Sequence, residues 1–485
     1  RVCATQSSMS VRLMIATTEA TLSWYAGEVE HCREAVQNGL ELAEREGLFV
    51  WKLLLYAQAT YNELMVGNVP MARKHLQLMQ HVATFGGDLF IFLMLGAWAD
   101  LIEGMVDQAR HKCRQARAIL EAEGFIPWHA GMLYLSEAQL AQRSGRREEV
   151  ERCLDQIATI TKILPAFYSF GACFLRAQCA FCDGDEDQGA IWLQRLMEEG
   201  KKRQQIIFVG WTPEEASQLF AKALACGEVP YVCEVIRKWQ LKPPADGPAL
   251  LHWPFRVKIH TFGKLVVEID GVLLEKQRKA PHRLLELLAA IITFGGDGVP
   301  VSRLTDAMWP DTDGDTAQQN FKKSITRLRK LLAVDDVIQW EEGKISLNQD
   351  LCWVDVLAFE KQAKREDGGA ITLYQGPFLG HDDIPLWADS RREQVRTRFI
   401  SLVNRHCEQV QSIGNPAAAI DSLQCAIDVD PLVEPLYQRL ILLLVAQGRQ
   451  VDAQRYYQTC LKAYQQSGAR EVSPATLRLA QSFKS

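Results

Sequence analysis

Six times in the first 245 residues an apolar run at helical spacing ends on a glycine, and a second amphipathic run follows it. Gly27, Gly67, Gly104, Gly145, Gly184 and Gly227 are separated by 40, 37, 41, 39 and 43 residues. Runs such as Leu133-Tyr-Leu-Ser-Glu-Ala-Gln-Leu140 precede them, and five residues after each glycine stands Cys32, Ala72, Ala109, Val150, Gly189 or Val232. A glycine takes the left-handed turn that closes a helix, and a small or slim residue lets the next helix lie close against the first. Residues 1–245 are therefore expected to be stacked helical hairpins, a solenoid. Gly414 with Ala419 and Gly448 with Ala453 show the same offset, so residues 351–485 read as a second, shorter helical array.

Between the arrays the period changes. Phe255-Arg-Val-Lys-Ile-His-Thr-Phe-Gly263, Lys264 to Asp270 and Val272-Leu-Leu alternate apolar residues between tight turns, which predicts short antiparallel strands. Pro281 opens an apolar helix that Gly295-Gly296 stop, and a short helix runs from Ser302, a candidate cap, to Trp309 with Pro310 after it. On the helix that follows the acidic loop Asp311, Asp313, Asp315, the residues Ala317, Phe321, Ser324, Ile325, Leu328, Leu331 and Leu332 fall on one side. Gln319, Lys322, Lys323, Thr326, Arg329 and Lys330 fall on the other, and Arg327 adds a further cation. Val337 to Trp340, a Glu341-Glu-Gly-Lys turn and Ile345 to Leu347 complete a hairpin. Strands, three helices and a hairpin in that order describe a small α+β winged helix-turn-helix over residues 254–350.

Charge sharpens this picture. The chain carries a formal net charge of −5, yet Thr316 to Val334 holds five cations and no acid. A helix with an apolar back and a front of amides and cations suits the DNA major groove, where Lys and Arg neutralise phosphates and Gln and Arg read base edges. A basic solvated face is the bland alternative. The whole segment 254–350 is neutral, with 14 Lys and Arg against 14 Asp and Glu, which predicts modest, salt-dependent phosphate affinity. Lys344 is the wing's candidate contact, although Glu341 and Glu342 beside it argue against insertion into the minor groove.

Leu304-Thr-Asp-Ala-Met-Trp-Pro310 and Arg327-Leu-Arg-Lys330 resemble the winged-helix domain of OmpR/PhoB-type regulators, in the variant joined to a bacterial transcriptional activator domain, as in antibiotic regulatory proteins. The resemblance continues through Cys352-Trp-Val-Asp-Val-Leu-Ala-Phe-Glu360, Tyr374-Gln-Gly-Pro-Phe-Leu379, Trp387-Ala-Asp-Ser-Arg391, Ile427-Asp-Val-Asp-Pro431, Glu434-Pro-Leu-Tyr-Gln-Arg439 and Gly448 to Tyr456. It implies DNA binding through the helix after Pro310, with the activator domain packed behind it. The N-terminal period resembles tetratricopeptide repeats of the loose kind found in large ATP-dependent regulators of the maltose-regulon activator type. The expected fold class is mainly α: a tetratricopeptide-like solenoid, a winged helix-turn-helix and a C-terminal helical-repeat activator domain.

Other chemistry is sparse. Cys179-Ala-Phe-Cys182 with nearby Cys173 lacks a second pair at zinc spacing, so packed thiols on a repeat helix are the expectation. The sequence has no G-x-x-x-x-G-K-[ST], H-E-x-x-H or G-x-S-x-G. His381-Asp382-Asp383 reads as a solvated loop, and Trp98, Trp192 and Trp211 as inter-helix core more readily than as a ligand groove. No catalytic residue, metal or cofactor is expected. Thirteen scattered Cys argue for the reducing cytoplasm, and no apolar run reaches the ~18 residues that would cross a bilayer. A proline-rich bend, Lys242 to Pro248, is expected to separate the solenoid from the DNA-binding unit, whereas Lys364 to Gly369 reads as a loop.

These readings converge on a cytoplasmic bacterial transcription regulator, an activator whose expected partners are double-stranded promoter DNA, RNA polymerase and a second copy of itself. Gln319, Lys322, Lys323, Thr326, Arg327, Arg329, Lys330 and Lys344 are the candidate DNA contacts. The chain starts at Arg1 with no initiator Met, and an upstream ATPase domain is expected to precede it. The competing class is a scaffold whose winged helix docks protein instead of DNA.

Overall fold

A computed structural model describes residues 9–48, 50–81, 83, 86–124, 126–160, 162, 165–203, 208–227, 229–244, 248–274, 282–334, 336–365, 369–380, 384–467 and 471–479. Pro281, His381-Asp382-Asp383, the centre of the proline-rich bend and the centre of the Lys364–Gly369 loop lie outside them. The chain forms two compact units, Arg1–Pro254 and Phe255–Ser485.

The first unit is built from α1 (Met9–Ala26), α2 (Val29–Arg45), α3 (Val50–Met65), α4 (Val69–Gln80), α5 (Gly86–Ile102), α6 (Val106–Glu123), α7 (Pro127–Arg143), α8 (Arg147–Ile160), α9 (Pro165–Cys182), α10 (Glu186–Arg203), α11 (Pro213–Ala225) and α12 (Val229–Lys238). Consecutive helices pair as antiparallel hairpins, with one of the six spaced glycines at each turn. All six have positive φ, from 67° at Gly145 to 94° at Gly227. Glu28, Asn68, Met105, Arg146 and Asp185 each donate a backbone N–H to the carbonyl five residues back, the bond that ties off a helix end across a left-handed residue. The slim residues at the fifth position are buried as the pattern requires: Cys32, Ala72, Ala109, Val150 and Val232 are at most 1% exposed. The sequence expectation of a helical-hairpin array holds.

The last hairpin returns to the early ones. Trp98 Nε1 donates to the Trp211 carbonyl at 2.6 Å, and Trp211 Nε1 donates to the Met65 carbonyl at 3.3 Å. Pro213 lies against Gly67, and Lys238 with Trp239 against Gly27. Trp98 and Trp211 are buried core; Trp192 is half-buried, with Arg176 and Arg195 guanidiniums 4.8 and 4.6 Å from its ring. Among the three clustered thiols only Cys179 is buried; Cys173 is partly exposed and Cys182 exposed. A turn at Pro248–Leu251 packs against α11, so the unit continues to Pro254.

The second unit opens with β1 (Val257–His260), β2 (Val266–Ile269) and β3 (Val272–Leu273), then α13 (His282–Thr293), β4 (Val299–Pro300), α14 (Val301–Met308), α15 (Gly314–Leu332), β5 (Ile338–Glu341), β6 (Lys344–Leu347) and β7 (Cys352–Val354). α16 (Asp355–Lys364), α17 (Gly369–Leu373), α18 (Leu386–Ser412), α19 (Pro416–Val429), α20 (Glu434–Ala446), α21 (Gln450–Gln466) and α22 (Pro474–Leu479) follow. One sheet has the order β3-β2-β1-β7, with β1 and β7 parallel; the other has the order β4-β6-β5.

The motifs of the activator segment act as internal ties. Asp355 accepts from the N–H groups of Thr261, Phe262 and Val356 at 2.7, 2.9 and 2.7 Å and from Thr261 Oγ1 at 2.5 Å. Gly263 N donates to Pro377 O, and Leu379 N to Thr261 O. Gly376 sits so close to the Gly263 backbone, with φ 146°, that a side chain there would press on the Gly263 nitrogen. Tyr374 stacks on Phe399 at 4.0 Å, and its hydroxyl donates to the buried Asp430, which also pairs with Arg396 at 2.9 Å. α18/α19 and α20/α21 are hairpins turned by Gly414 and Gly448, at φ 80° and 74°, with Ala419 and Ala453 fully buried.

Candidate nucleic-acid interface

The helix α15 begins two residues before the expected Thr316. Asp313 caps it, its carboxylate accepting from Thr316 N at 3.0 Å, and that bond holds the Asp313 carboxyl below its usual range. One acid of the loop before the helix is thus the device that starts it. Ala317, Phe321, Ile325, Leu328 and Leu332 are buried, and Ser324 and Leu331 half-buried, the stripe expected from the 3.6-residue period. Phe321 meets Trp340 of β5 edge-to-face at 5.4 Å and 83°. Full burial of such a ring stabilises the anchor by about 1.5–3 kcal/mol.

The opposite face is open. Gln319, Lys322, Lys323, Thr326, Arg327, Arg329 and Lys330 are all exposed. Among the described residues Lys322, Lys323, Arg327 and Lys330 have no carboxylate within ion-pair distance. Thr326 Oγ1 donates to the Lys322 carbonyl at 3.0 Å, leaving its oxygen lone pairs outward. Arg329 differs from its neighbours: Nε and Nη2 donate to the Ile338 carbonyl at 3.1 and 2.8 Å, tying α15 to the first strand of the wing. Helical spacing places Arg329 on the outer face but carries no sign of a partner nine residues on.

The hairpin turns on the expected Glu341-Glu-Gly-Lys344 segment, with Glu342 and Gly343 as its two-residue loop. Glu342 and Gly343 both take positive φ, 48° and 74°, the mirror-image turn that matches strand twist. Lys344 therefore lies in a strand, opposite Glu341, and is exposed. A third strand, β4, for which the sequence carries no signal, lies at the edge of the β4-β6-β5 sheet, where Pro300 needs no N–H. The strand also corrects the expected cap of the short helix. That helix starts at Val301, whose N–H donates to the Gly343 carbonyl at 3.0 Å, and Ser302 lies exposed in its first turn without capping it.

Behind α15, α13 and α14 pack on its apolar stripe, and α13 also meets α18 of the activator segment. At that junction Phe294 lies 6.1 Å from Trp387 with the Arg303 guanidinium 4.2 Å from its ring. No group of His, Cys, Asp and Glu among the described residues is arranged to hold a metal, and no described helix is long and apolar enough to cross a membrane.

Residues 358–483 match the bacterial transcriptional activator domain. The chain is 25% identical over 186 residues to Regulatory protein AfsR of Streptomyces griseus, an alignment covering 35% of this chain and 19% of that protein. The chain thus spans about a fifth of the length of that relative. Both matches are regulatory by description, which supports reading the chain as part of a transcription regulator. Among solved structures, Mycobacterium tuberculosis EmbR in complex with low affinity phosphopeptide aligns with a TM-score of 0.33 and 20% identity, over 47% of this chain and 65% of that one. A circular tandem repeat protein aligns with a TM-score of 0.17 and 12% identity, over 98% and 95%. Scores this low establish no common fold.

Proposed function

We propose that the chain is the DNA-engaging part of a transcription activator, which lays α15 in the major groove of promoter DNA. The observation that carries the reading is the row of exposed cations on α15 without carboxylate partners among the described residues, opposite a buried stripe that fixes the helix to its domain. Lys322, Lys323, Arg327 and Lys330 hold phosphates, and Gln319 meets a base edge. Thr326 adds a hydroxyl, Lys344 reaches the backbone from the wing, and Arg329 acts chiefly by holding the wing in place. The OmpR/PhoB-type winged helix, the activator array that recruits RNA polymerase and pairs copies of the protein, and the repeat unit as a sensor complete the scheme.

The test is an electrophoretic shift on a promoter fragment found by footprinting, across a salt series. Lys323→Ala with Lys330→Ala is expected to weaken binding and to flatten the slope of log K against log salt by up to about 2. Unchanged affinity and slope in this double variant would refute the assignment and favour a protein-docking role for the winged helix. Its basis in sequence would be the charge parity of residues 254–350.

A further inference from the structure

A cleft of about 380 Å³ opens in the helical-repeat unit between the third and fourth hairpins. Arg110, Arg114 and Arg117 enter it from α6, at positions four and three apart and so on one stripe. Arg146 comes from the turn before α8 and Arg152 from α8 itself. Two carboxylates face these five guanidiniums. Glu137 takes Arg117 in a two-pronged pair, and Glu149 lies 2.8 Å from Arg146 and 4.0 Å from Arg152. Arg110 reaches Ser144 Oγ at 2.7 Å and the fully exposed Asp107 at 3.3 Å, while its Nε is buried with no acceptor. Arg114 has no ion-pair partner among the described residues and is exposed.

The cleft thus concentrates positive charge in a chain whose net charge is −5. Stacking like charges on one helical stripe destabilises the unliganded protein, and a bound anion reverses that. Guanidinium forks match the paired oxygens of a phosphate, and the volume suits a small metabolite more than a polymer strand. We propose that this cleft binds a small molecule bearing two or more phosphate groups, with Arg110, Arg114 and Arg152 as its principal contacts. The site lies in the other compact unit from α15 and is independent of the DNA-binding reading.

Titration calorimetry on the whole chain, at constant ionic strength, compares pyrophosphate with inorganic phosphate and citrate. Pyrophosphate is expected to bind tightest, and Arg114→Ala with Arg152→Ala to weaken it by at least about tenfold, the loss of charge-assisted hydrogen bonds, while the melting temperature of the unliganded variant does not fall, since like-charge repulsion on the stripe is relieved. Arg114→Lys with Arg152→Lys is expected to keep part of the affinity, since charge remains and the fork is lost. Absent pyrophosphate binding, or equal binding to the alanine variant, overturns the proposal. Equally tight citrate binding overturns the phosphate assignment. Weakened promoter binding by the alanine variant would make the cleft a DNA contact, which also overturns it.

Discussion

Arg329 donates from Nε and Nη2 to one acceptor, the carbonyl of Ile338, at 3.1 and 2.8 Å. A side chain on the outer face of α15 is thereby engaged in placing the hairpin beside it. Arg329→Ala is expected to lower the stability of the second unit by about 1 kcal/mol, less than for a buried charged donor because the group is exposed and screened. The salt slope of DNA binding should change little, unlike that of the Lys323 and Lys330 variant. Chemical denaturation paired with a salt series separates the two effects; a flattened slope with intact stability would return Arg329 to the phosphate contacts.

Asp355 is the acceptor for three backbone N–H groups and the Thr261 hydroxyl, all buried. Asp355→Ala leaves those donors without a partner, at about 1–3 kcal/mol each if unrelieved. A loss of at least about 3 kcal/mol in the unfolding of the second unit is the expected outcome, with Asp355→Asn in between. A variant melting within a degree or two of the wild type would show that water or another group takes over the donors.

Two glycines of the repeat unit are needed for different reasons. At Gly145, with φ 67°, an added Cβ meets nothing within 4 Å, so Gly145→Ala costs only backbone strain, about 1–2 kcal/mol. At Gly189 an added Cβ lies 2.4 Å from the Phe181 ring, and overpacking costs about 1–3 kcal/mol. Asn tolerates left-handed backbone, so Gly145→Asn should recover much of the loss and Gly189→Asn none of it. Thermal melts of the four variants decide the matter, and rescue at both positions would contradict it.

Burial holds the imidazoles of His75 and His129 below their ordinary value of 6.5. Both are favoured neutral in the fold, so their contribution to stability is complete above the unfolded value. It is lost as pH falls through 6.5 toward the folded values. The exposed His31, beside Glu19 at 3.0 Å, shifts upward and opposes this weakly. The melting temperature of the first unit is expected to drop between about pH 7.5 and about pH 5.5, and His75→Phe should make the drop shallower. An identical profile for the variant would remove His75 from the account.

Periodicity made the repeat hairpins and α15 legible, because burial of Phe321, Ile325 and Leu328 or of Ala72 and Ala109 follows from local spacing. What stayed hidden depends on partners far along the chain. The pairing of Val257 with Cys352 joins residues almost a hundred positions apart, and nothing in either segment names the other. The same holds for Trp98 and Trp211, recognisable as core but not as donor and acceptor. Helical spacing puts Arg329 on the outer face, but only the fold shows the Ile338 carbonyl beside it. For the candidate interface, which side chains face outward was readable, and which of them were already committed was not.

Because β7 is the outer strand of the sheet that begins with β3, β2 and β1, the strands before α15 and the segment that leads into α16 share one backbone ladder. A break after Asp350 would strip that ladder of its flank and leave the β1 backbone groups that pair with Cys352, Trp353 and Val354 without partners. The segments on either side of Asp350 are therefore expected to fold only together, as one piece starting near Phe255.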